Sequence, residues 1–137
     1  MNTNNVKTKL VASVLAVVLA FVAIPGVNVS ADSEVGPGYL GGTPVYAKSS
    51  IYYSGAYGTT YSYVYDVGIH AEVTWAEYTY INQSTLVEGY MYGSNAGTSS
   101  ASVNFNAPSN CYSKKVRCDH HASRVNEYWG ASTDATY

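Results

Sequence analysis

From Tyr61 to Trp75 the chain alternates between bulky and polar side chains. The odd positions of this stretch hold aromatic or aliphatic residues, namely Tyr61, Tyr63, Tyr65, Val67, Ile69, Ala71, Val73 and Trp75. The even positions are mostly polar, with Val64 as an exception. Because successive side chains of a strand point to opposite faces, a period of two predicts a sheet with one buried face. Gly68 is expected to mark a bulge, a bend or a turn that divides two strands.

The alternation changes parity after Trp75. Ala76, Tyr78 and Tyr80 continue the bulky set from even positions. A slip of one residue would turn the whole buried set towards solvent, so the register has to be reset. We therefore expect a β-bulge or a turn near Ala76 and Glu77.

Strand signals recur along the rest of the chain. Strand-like patterns cover 44–53, 86–92 and 101–107, with a turn at 82–84 and a loop at 93–100. Pro108 is expected to end the strand before it, because proline cannot donate a hydrogen bond to a sheet. Residues 119–129 fit either a helix capped by Asp119 or an edge strand, and the surrounding strands favour the edge strand.

These patterns predict an all-β fold, a small antiparallel β-sandwich or barrel-like domain. A hydrophobic share of 47% with only 12% charged residues provides ample surface to bury and excludes a disordered chain. We expect a single β-domain over residues 44–137. A flexible segment at residues 32–43, which contains Gly36-Pro37-Gly38, is expected to precede it.

The first residues have the plan of a secretory signal peptide. A polar start with two lysines precedes an apolar run at 10–24, and Val29-Ser30-Ala31 offers small residues to a signal peptidase. The run is shorter than the roughly 20 residues of a membrane-spanning helix, so no stable membrane span is expected after cleavage. We expect a signal-peptide helix within residues 1–31, cleavage before Asp32 and a secreted protein.

The charge balance of the mature chain limits the classes of partner that it can bind. Without the leader, five basic residues stand against nine acidic ones, a net charge of −4. Binding to phosphate backbones requires a positive excess, which argues against a nucleic-acid partner. The chain has neither a phosphate-binding loop nor a dinucleotide fingerprint, and we expect no cofactor.

Cys111 and Cys118 are expected to form a disulfide, which is the default for two cysteines in an exported protein. The bridge would close a loop that carries Lys114, Lys115 and Arg117. Such a loop could offer a basic residue to a trypsin-like protease as an inhibitor, reach for an anionic cell-wall polymer or lipid, or simply face solvent. A metal site with His120 and His121 is disfavoured, because neighbours on a strand point to opposite faces.

Tyrosine is the most unusual part of the composition, with 15 copies against 2 Phe and 2 Trp. Tyrosine buries a ring while its hydroxyl stays near water or a partner. The candidate residues for an aromatic binding face are Tyr52, Tyr53, Tyr78, Tyr80, Tyr90 and Tyr92. Cross-strand pairing within the sheets is the alternative role for each of them.

No catalytic constellation is evident, and we expect a protein that is not an enzyme. Glu72 and Glu77 around Trp75 are the only suggestive carboxylate pair for glycoside hydrolysis. The leading hypothesis is a secreted, non-enzymatic β-domain that binds a cell-surface polymer or an extracellular protein. The alternatives are a protease inhibitor that uses the Cys111–Cys118 loop and a small glycan-acting hydrolase.

The segment Gly41-Gly42-Thr43 and the tyrosine-rich stretch at 46–57 resemble lactococcin-like bacteriocins, a group of small exported β-proteins of Gram-positive bacteria. The resemblance lies in composition and covers about a fifth of the mature chain. It implies a β-sandwich and a bacterial, bacteriocin-like antagonist, and it assigns no functional residue.

Overall fold

The computed structural model describes residues 31–137. In this range the strands are β1 (Ala31–Leu40), β2 (Thr43–Tyr52), β3 (Gly55–Tyr61), β4 (His70–Asn82), β5 (Glu88–Thr98), β6 (Ser100–Asn106), β7 (Cys111–Arg124) and β8 (Glu127–Thr136). The predicted signal peptide and its helix lie outside the described residues, apart from Ala31. Within 31–137 no helix has the length and apolarity needed to cross a membrane.

The strands form two four-stranded sheets in which every pairing is antiparallel. The first sheet has the order β1-β2-β3-β6 and the second has the order β5-β4-β7-β8. The prediction of an all-β fold is therefore confirmed. The two inner faces pack against each other, so each sheet has one buried and one outer face.

The core between the sheets combines aliphatic side chains with two stacked rings. Tyr78 of β4 lies parallel to Phe105 of β6, with ring centroids 5.4 Å apart. The Tyr78 hydroxyl hydrogen bonds with Ser113 Oγ at 2.7 Å, so the buried polar end of the ring is satisfied. The other buried members are Ile51, Ala56, Val73, Ala76, Val103, Val116, Cys118 and Ala135.

The expected register reset is present in β4. Its pairing with β5 shifts between Val73 and Ala76, and its pairing with β7 shifts between Val73 and Trp75. Val73 is buried before this bulge, and Ala76 and Tyr78 are buried after it. The bulge thus keeps both halves of β4 in the core although their parity differs.

The alternation over 61–75 does not correspond to one buried strand. β3 ends at Tyr61 and β4 begins at His70, and the side chains of Tyr63, Tyr65 and Val67 in the connecting loop are 73%, 74% and 77% exposed. The stretch divides near Gly68, in agreement with the expected turn between two strands. A period of two cannot tell an exposed loop from a strand, because it reports side-chain type and not backbone pairing.

Asp66 fixes the course of this connecting loop. Its carboxylate accepts hydrogen bonds from the Gly68 N–H at 2.9 Å and from the Thr43 hydroxyl at 2.7 Å, and it forms an ion pair with Arg124. Aspartate commonly stabilises turns by bonding to the backbone two residues further on. The pKa of Asp66 is held below its usual range, first by the Thr43 and Gly68 bonds and then by Arg124.

Two further segments differ from the expectations, and a third agrees with the favoured alternative. The segment at 32–43 was expected to be flexible, but most of it belongs to β1, which pairs with β2. The expected loop at 93–100 instead continues β5 as far as Thr98. The ambiguous segment at 119–129 is strand in β7 and β8 rather than helix. The path of β1 depends on Gly38, since a Cβ at that position would overlap the ring of Trp129.

A chain of polar side chains crosses the core and joins the two sheets. His120 of β7 hydrogen bonds through Nδ1 with Thr60 of β3 at 2.9 Å and through Nε2 with Thr133 of β8 at 2.7 Å. Thr133 in turn hydrogen bonds with Ser49 of β2. Burial holds the pKa of His120 down to about 4, so this imidazole is neutral at pH 7.

Replacement of Tyr78 tests the stacked core. We expect Tyr78→Ala to lower the free energy of unfolding by about 3–5 kcal/mol, because it removes a large buried ring and leaves a cavity. Urea denaturation followed by circular dichroism measures this change. Tyr65→Ala is the matched control and should change stability by less than about 0.5 kcal/mol, since Tyr65 is exposed. Equal effects of the two substitutions would contradict the assignment of the core.

The buried His120 predicts a loss of stability on acidification. The unfolded chain takes up a proton on this residue near pH 6.5, whereas the folded chain takes it up only near pH 4. The free energy of unfolding should therefore fall between these values as the pH is lowered, by about 3 kcal/mol from this group. Urea denaturation at a series of pH values would show a shallower slope for His120→Asn than for the control His121→Asn. Parallel slopes would refute a neutral buried imidazole.

Candidate functional site

The six candidate tyrosines do not share one face of the molecule. Tyr78 lies fully in the core, and Tyr80 is half-buried against it, so neither belongs to an exposed binding face. Tyr90 and Tyr92 are exposed on β5 of the second sheet. The remaining two, Tyr52 and Tyr53, lie where β2 turns into β3.

Tyr53 makes contacts within the protein. Its ring stacks on Tyr112 with centroids 6.0 Å apart and meets Tyr137 edge-on at 5.9 Å. Its hydroxyl accepts a hydrogen bond from Gln83 Nε2 at 2.8 Å. Tyr53 lies in the turn after β2, whereas Tyr112 belongs to β7 of the second sheet, so these contacts join the two sheets and are not cross-strand pairs within one sheet.

An aromatic pair on the outer face of the second sheet is the most promising surface for a ligand. Trp75 lies within the bulge of β4 and next to Tyr92 of β5, with ring centroids 6.3 Å apart and planes tilted by 38°. Tyr92 is 63% exposed. Tyr90 lies two residues away on the same face of β5, about 7 Å along the strand.

A shallow groove lies beside this aromatic pair, between β4 and β5. Its volume is about 300 Å³ and its lining residues are Glu72, Val73, Thr74, Ser94, Asn95 and Ala96. We refer to it as the β4–β5 groove. Carboxylate, hydroxyl and amide groups in this lining can both donate and accept hydrogen bonds.

Glu72 is held at the groove by two histidines. Its carboxylate oxygens lie 2.7 Å from His70 Nε2 and 3.3 Å from His121 Nδ1. These bonds, that to His70 first, hold the pKa of Glu72 below its usual range. The ring of Tyr128 stacks on His121 at 5.8 Å. Glu72 is therefore an ionised hydrogen-bond acceptor with a fixed orientation.

The same residues do not form a metal centre. Over residues 31–137 no group of three His, Cys, Asp or Glu side chains has an arrangement that could hold a metal ion. His120 and His121 point to opposite faces of β7, with His120 buried and His121 beside Glu72. The geometry of this site suits hydrogen bonding and ring stacking rather than metal coordination.

The basic segment is part of a sheet and not a protruding loop. Lys114, Lys115 and Arg117 belong to β7, an interior strand of the second sheet. Lys114 forms an ion pair with Glu88. Lys115 and Arg117 both approach Asp134, at 2.7 Å and 3.7 Å. Lys115 and Arg117 therefore have an acidic partner on the adjacent strand β8, and Lys114 reaches Glu88 of β5 across β4.

The predicted disulfide between Cys111 and Cys118 is wrong. Both cysteines are free and buried on β7. Seven residues of extended strand separate their Cα atoms by about 20 Å, whereas a disulfide requires less than about 7 Å. The spacing of the two cysteines in the sequence is compatible with a closed loop and with an extended strand. Only the pairing of β7 with its neighbours decides between these two alternatives.

Glu72 and Glu77 are also too far apart to act as a hydrolytic pair. They lie five residues apart on β4, and the strand rise places their Cα atoms roughly 13–16 Å apart. Carboxyl groups of glycosidases lie about 5–9.5 Å apart. Glu77 instead lies next to Tyr92, whose pKa is raised by desolvation and by its bond to this carboxylate.

Sequence reasoning missed most of the β4–β5 groove. Trp75 was counted with the buried odd positions, and Ser94 and Asn95 were assigned to a loop. One signal for Trp75 was present, because it is the last odd position before the parity change, where a bulge turns a side chain outwards. No comparable signal exists for Ser94 and Asn95, which reach the site through the pairing of β5 with β4.

No protein-family model, curated protein or solved structure matches this chain. The resemblance to lactococcin-like bacteriocins therefore rests on composition alone, because no family model matches.

The free thiols make a direct prediction. When the protein is unfolded without reductant, we expect both Cys111 and Cys118 to be alkylated by iodoacetamide. In the native state both should react slowly, because they are buried and burial raises the pKa of Cys118. Intact-mass spectrometry distinguishes the states. If the unfolded, unreduced protein takes up no label and its mass is lower by two hydrogens, the cysteines form a disulfide and the prediction is wrong.

Proposed function

We propose that this chain is a secreted, non-enzymatic β-domain that binds a polysaccharide of a cell surface or extracellular matrix through the β4–β5 groove. The observation that carries the proposal is the pairing of Trp75 and Tyr92 beside a groove with an oriented, ionised Glu72.

Carbohydrates fit this combination of groups. A pyranose ring has a face of C–H groups that stacks on aromatic rings and a rim of hydroxyls that need hydrogen-bond partners. Trp75 and Tyr92 offer flat apolar surfaces beside the groove, and Glu72, Ser94 and Asn95 in its lining offer acceptors and donors. A few polar groups set against apolar surface are typical of specific ligand sites.

The openness of the groove favours a polymer over a small ligand. β5 is an edge strand of the second sheet, so the aromatic pair and Tyr90 lie along the border of the molecule. A chain of sugars could run along this border and contact several rings in succession. A shallow groove would bury only part of a small free ligand, which limits its affinity.

The leader pattern of residues 1–31 supports an extracellular role. Export would place the domain among cell-surface polymers, and the mature net charge of −4 disfavours nucleic acid as a partner. Binding to the wall polymer of neighbouring cells would give the protein an antagonistic, bacteriocin-like role.

The two alternative functions have less support. A protease inhibitor presents an exposed loop in a pre-organised shape, whereas Lys114, Lys115 and Arg117 lie on a strand paired on both sides. A hydrolase would need a second carboxylate close to Glu72, and Glu77 lies too far along β4.

Binding assays with purified polysaccharides and cell-wall fragments test the proposal. We expect Trp75→Ala and Tyr92→Ala each to bind about 10-fold more weakly to the glycan that the wild type retains. This change corresponds to about 1.4 kcal/mol of binding free energy. Affinity electrophoresis screens the panel and calorimetry gives the dissociation constant. Tyr52→Ala is the matched control on the first sheet and should leave binding unchanged.

The chemistry of the recovered glycan separates binding from hydrolysis. The proposal requires that the glycan is recovered intact, and it fails if no glycan binds or if Trp75→Ala binds as tightly as the wild type. Shortened glycan products that disappear with Glu72→Gln would instead support a hydrolase.

A further inference from the structure

Two aromatic pairs lie on the outer face of the second sheet. One is the pair of Trp75 and Tyr92 beside the β4–β5 groove, with ring centroids 6.3 Å apart. The other joins His121 of β7 to Tyr128 of β8, with ring centroids 5.8 Å apart and planes within 20° of parallel. Tyr128 is 76% exposed, so the second pair is as open to a ligand as the first.

The strand register places the four rings on one line. In the order Tyr92, Trp75, His121 and Tyr128, each ring lies one strand further across the sheet and two residues further along it. For example, Asp119 of β7 lies opposite Trp75, and His121 follows two residues later. Strands lie about 4.8 Å apart and rise about 3.3 Å per residue, so the line is roughly 20–25 Å long between its outer Cα atoms. We refer to these four rings as the aromatic diagonal.

The aromatic diagonal is one ring wide, because the register puts polar side chains on both sides of it. A protein-binding surface usually has an apolar centre enclosed by a polar rim. A single line of rings between polar side chains instead matches the shape of a linear molecule. The flanking residues are Glu77, Arg117, Asp119 and Ser132 on one side and His70 and Ser123 on the other.

Glu72 connects the two aromatic pairs. It lies three residues from Trp75 on β4 and opposite His121 on β7, whose Nδ1 is 3.3 Å from the Glu72 carboxylate. A sugar over the middle of the diagonal would have an aromatic ring on either side and a carboxylate to accept hydrogen bonds from its hydroxyls. The polar group of the β4–β5 groove therefore also serves the second pair.

The charges beside the aromatic diagonal disfavour an anionic polymer. Glu72, Glu77 and Asp119 place three carboxylates next to it. The guanidinium of Arg117 approaches Asp134 at 3.7 Å, so part of its charge is neutralised within the protein. Juxtaposed like charges weaken binding, and a sulfated or uronic-acid polymer would meet this repulsion along the whole line.

From this arrangement we propose that the bound glycan is a linear, uncharged polysaccharide that crosses the second sheet along the aromatic diagonal. His121 and Tyr128 then form a second sugar subsite beyond that of Trp75 and Tyr92. A chain that enters over Tyr90 at the border of β5 would continue onto this line. The inference rests on the proposed function and adds the course and the charge class of the polymer. A ligand that reaches both pairs has to be longer than a disaccharide.

A length series of oligosaccharides tests this inference. The probes are cellulose, mannan and chitin fragments from disaccharide to hexasaccharide, and chemical-shift titration of the full chain measures their dissociation constants. In the series that binds, we expect the hexasaccharide to bind the wild type about 10-fold more tightly than the disaccharide, since it gains a second stacked pair. Tyr128→Ala should remove most of this advantage and leave the disaccharide unaffected. Trp75→Ala should weaken both probes.

Matched variants separate the ring of Tyr128 from other effects of its replacement. Tyr128→Phe retains the ring and should bind the hexasaccharide like the wild type. Tyr65→Ala removes a tyrosine of similar exposure in the β3–β4 loop and should leave every dissociation constant unchanged. Polygalacturonate is the anionic probe, and the wild type should bind it more weakly than the uncharged polymers. Tighter binding of polygalacturonate would overturn the assignment of an uncharged ligand.

The outcomes distinguish this inference from the proposed function. If Trp75→Ala weakens the hexasaccharide and Tyr128→Ala does not, the chain stays at the β4–β5 groove, and the inference is overturned while the proposed function stands. An affinity that does not rise with chain length would have the same meaning. If the wild type binds none of the probes, or if Trp75→Ala binds like the wild type, both proposals fail.

Discussion

The bulge in β4 is the constraint on which both the core and the candidate site depend. Before the bulge Val73 points into the core, and after it Ala76 and Tyr78 do so. A regular strand would turn one of these sets towards solvent and lose the stack of Tyr78 on Phe105. The extra residue also leaves Trp75 on the outer side next to Tyr92. One local irregularity therefore completes the interior and creates the aromatic pair of the β4–β5 groove.

The polar chain through the core has a different role from the stacked rings. Hydrophobic contacts tolerate sliding of one sheet over the other, whereas the hydrogen bonds that His120 shares with Thr60 and Thr133 are satisfied in a single arrangement. An alternative packing would leave a buried imidazole without partners, at a substantial energetic cost. Stability then depends on the protonation state of His120, which makes the fold sensitive to acid.

Sequence patterns were sufficient where the determinants are local. Burial alternates residue by residue along β6 up to Asn106, before Pro108, and the parity change after Trp75 located the bulge. They were insufficient where pairing with a distant strand decides the outcome. Cys111 and Cys118 are separated along β7 because β4 and β8 keep it extended. Ser94 joins the groove for a similar reason. Tyr63 shares its residue type with the buried Tyr78, so composition alone does not reveal its exposure.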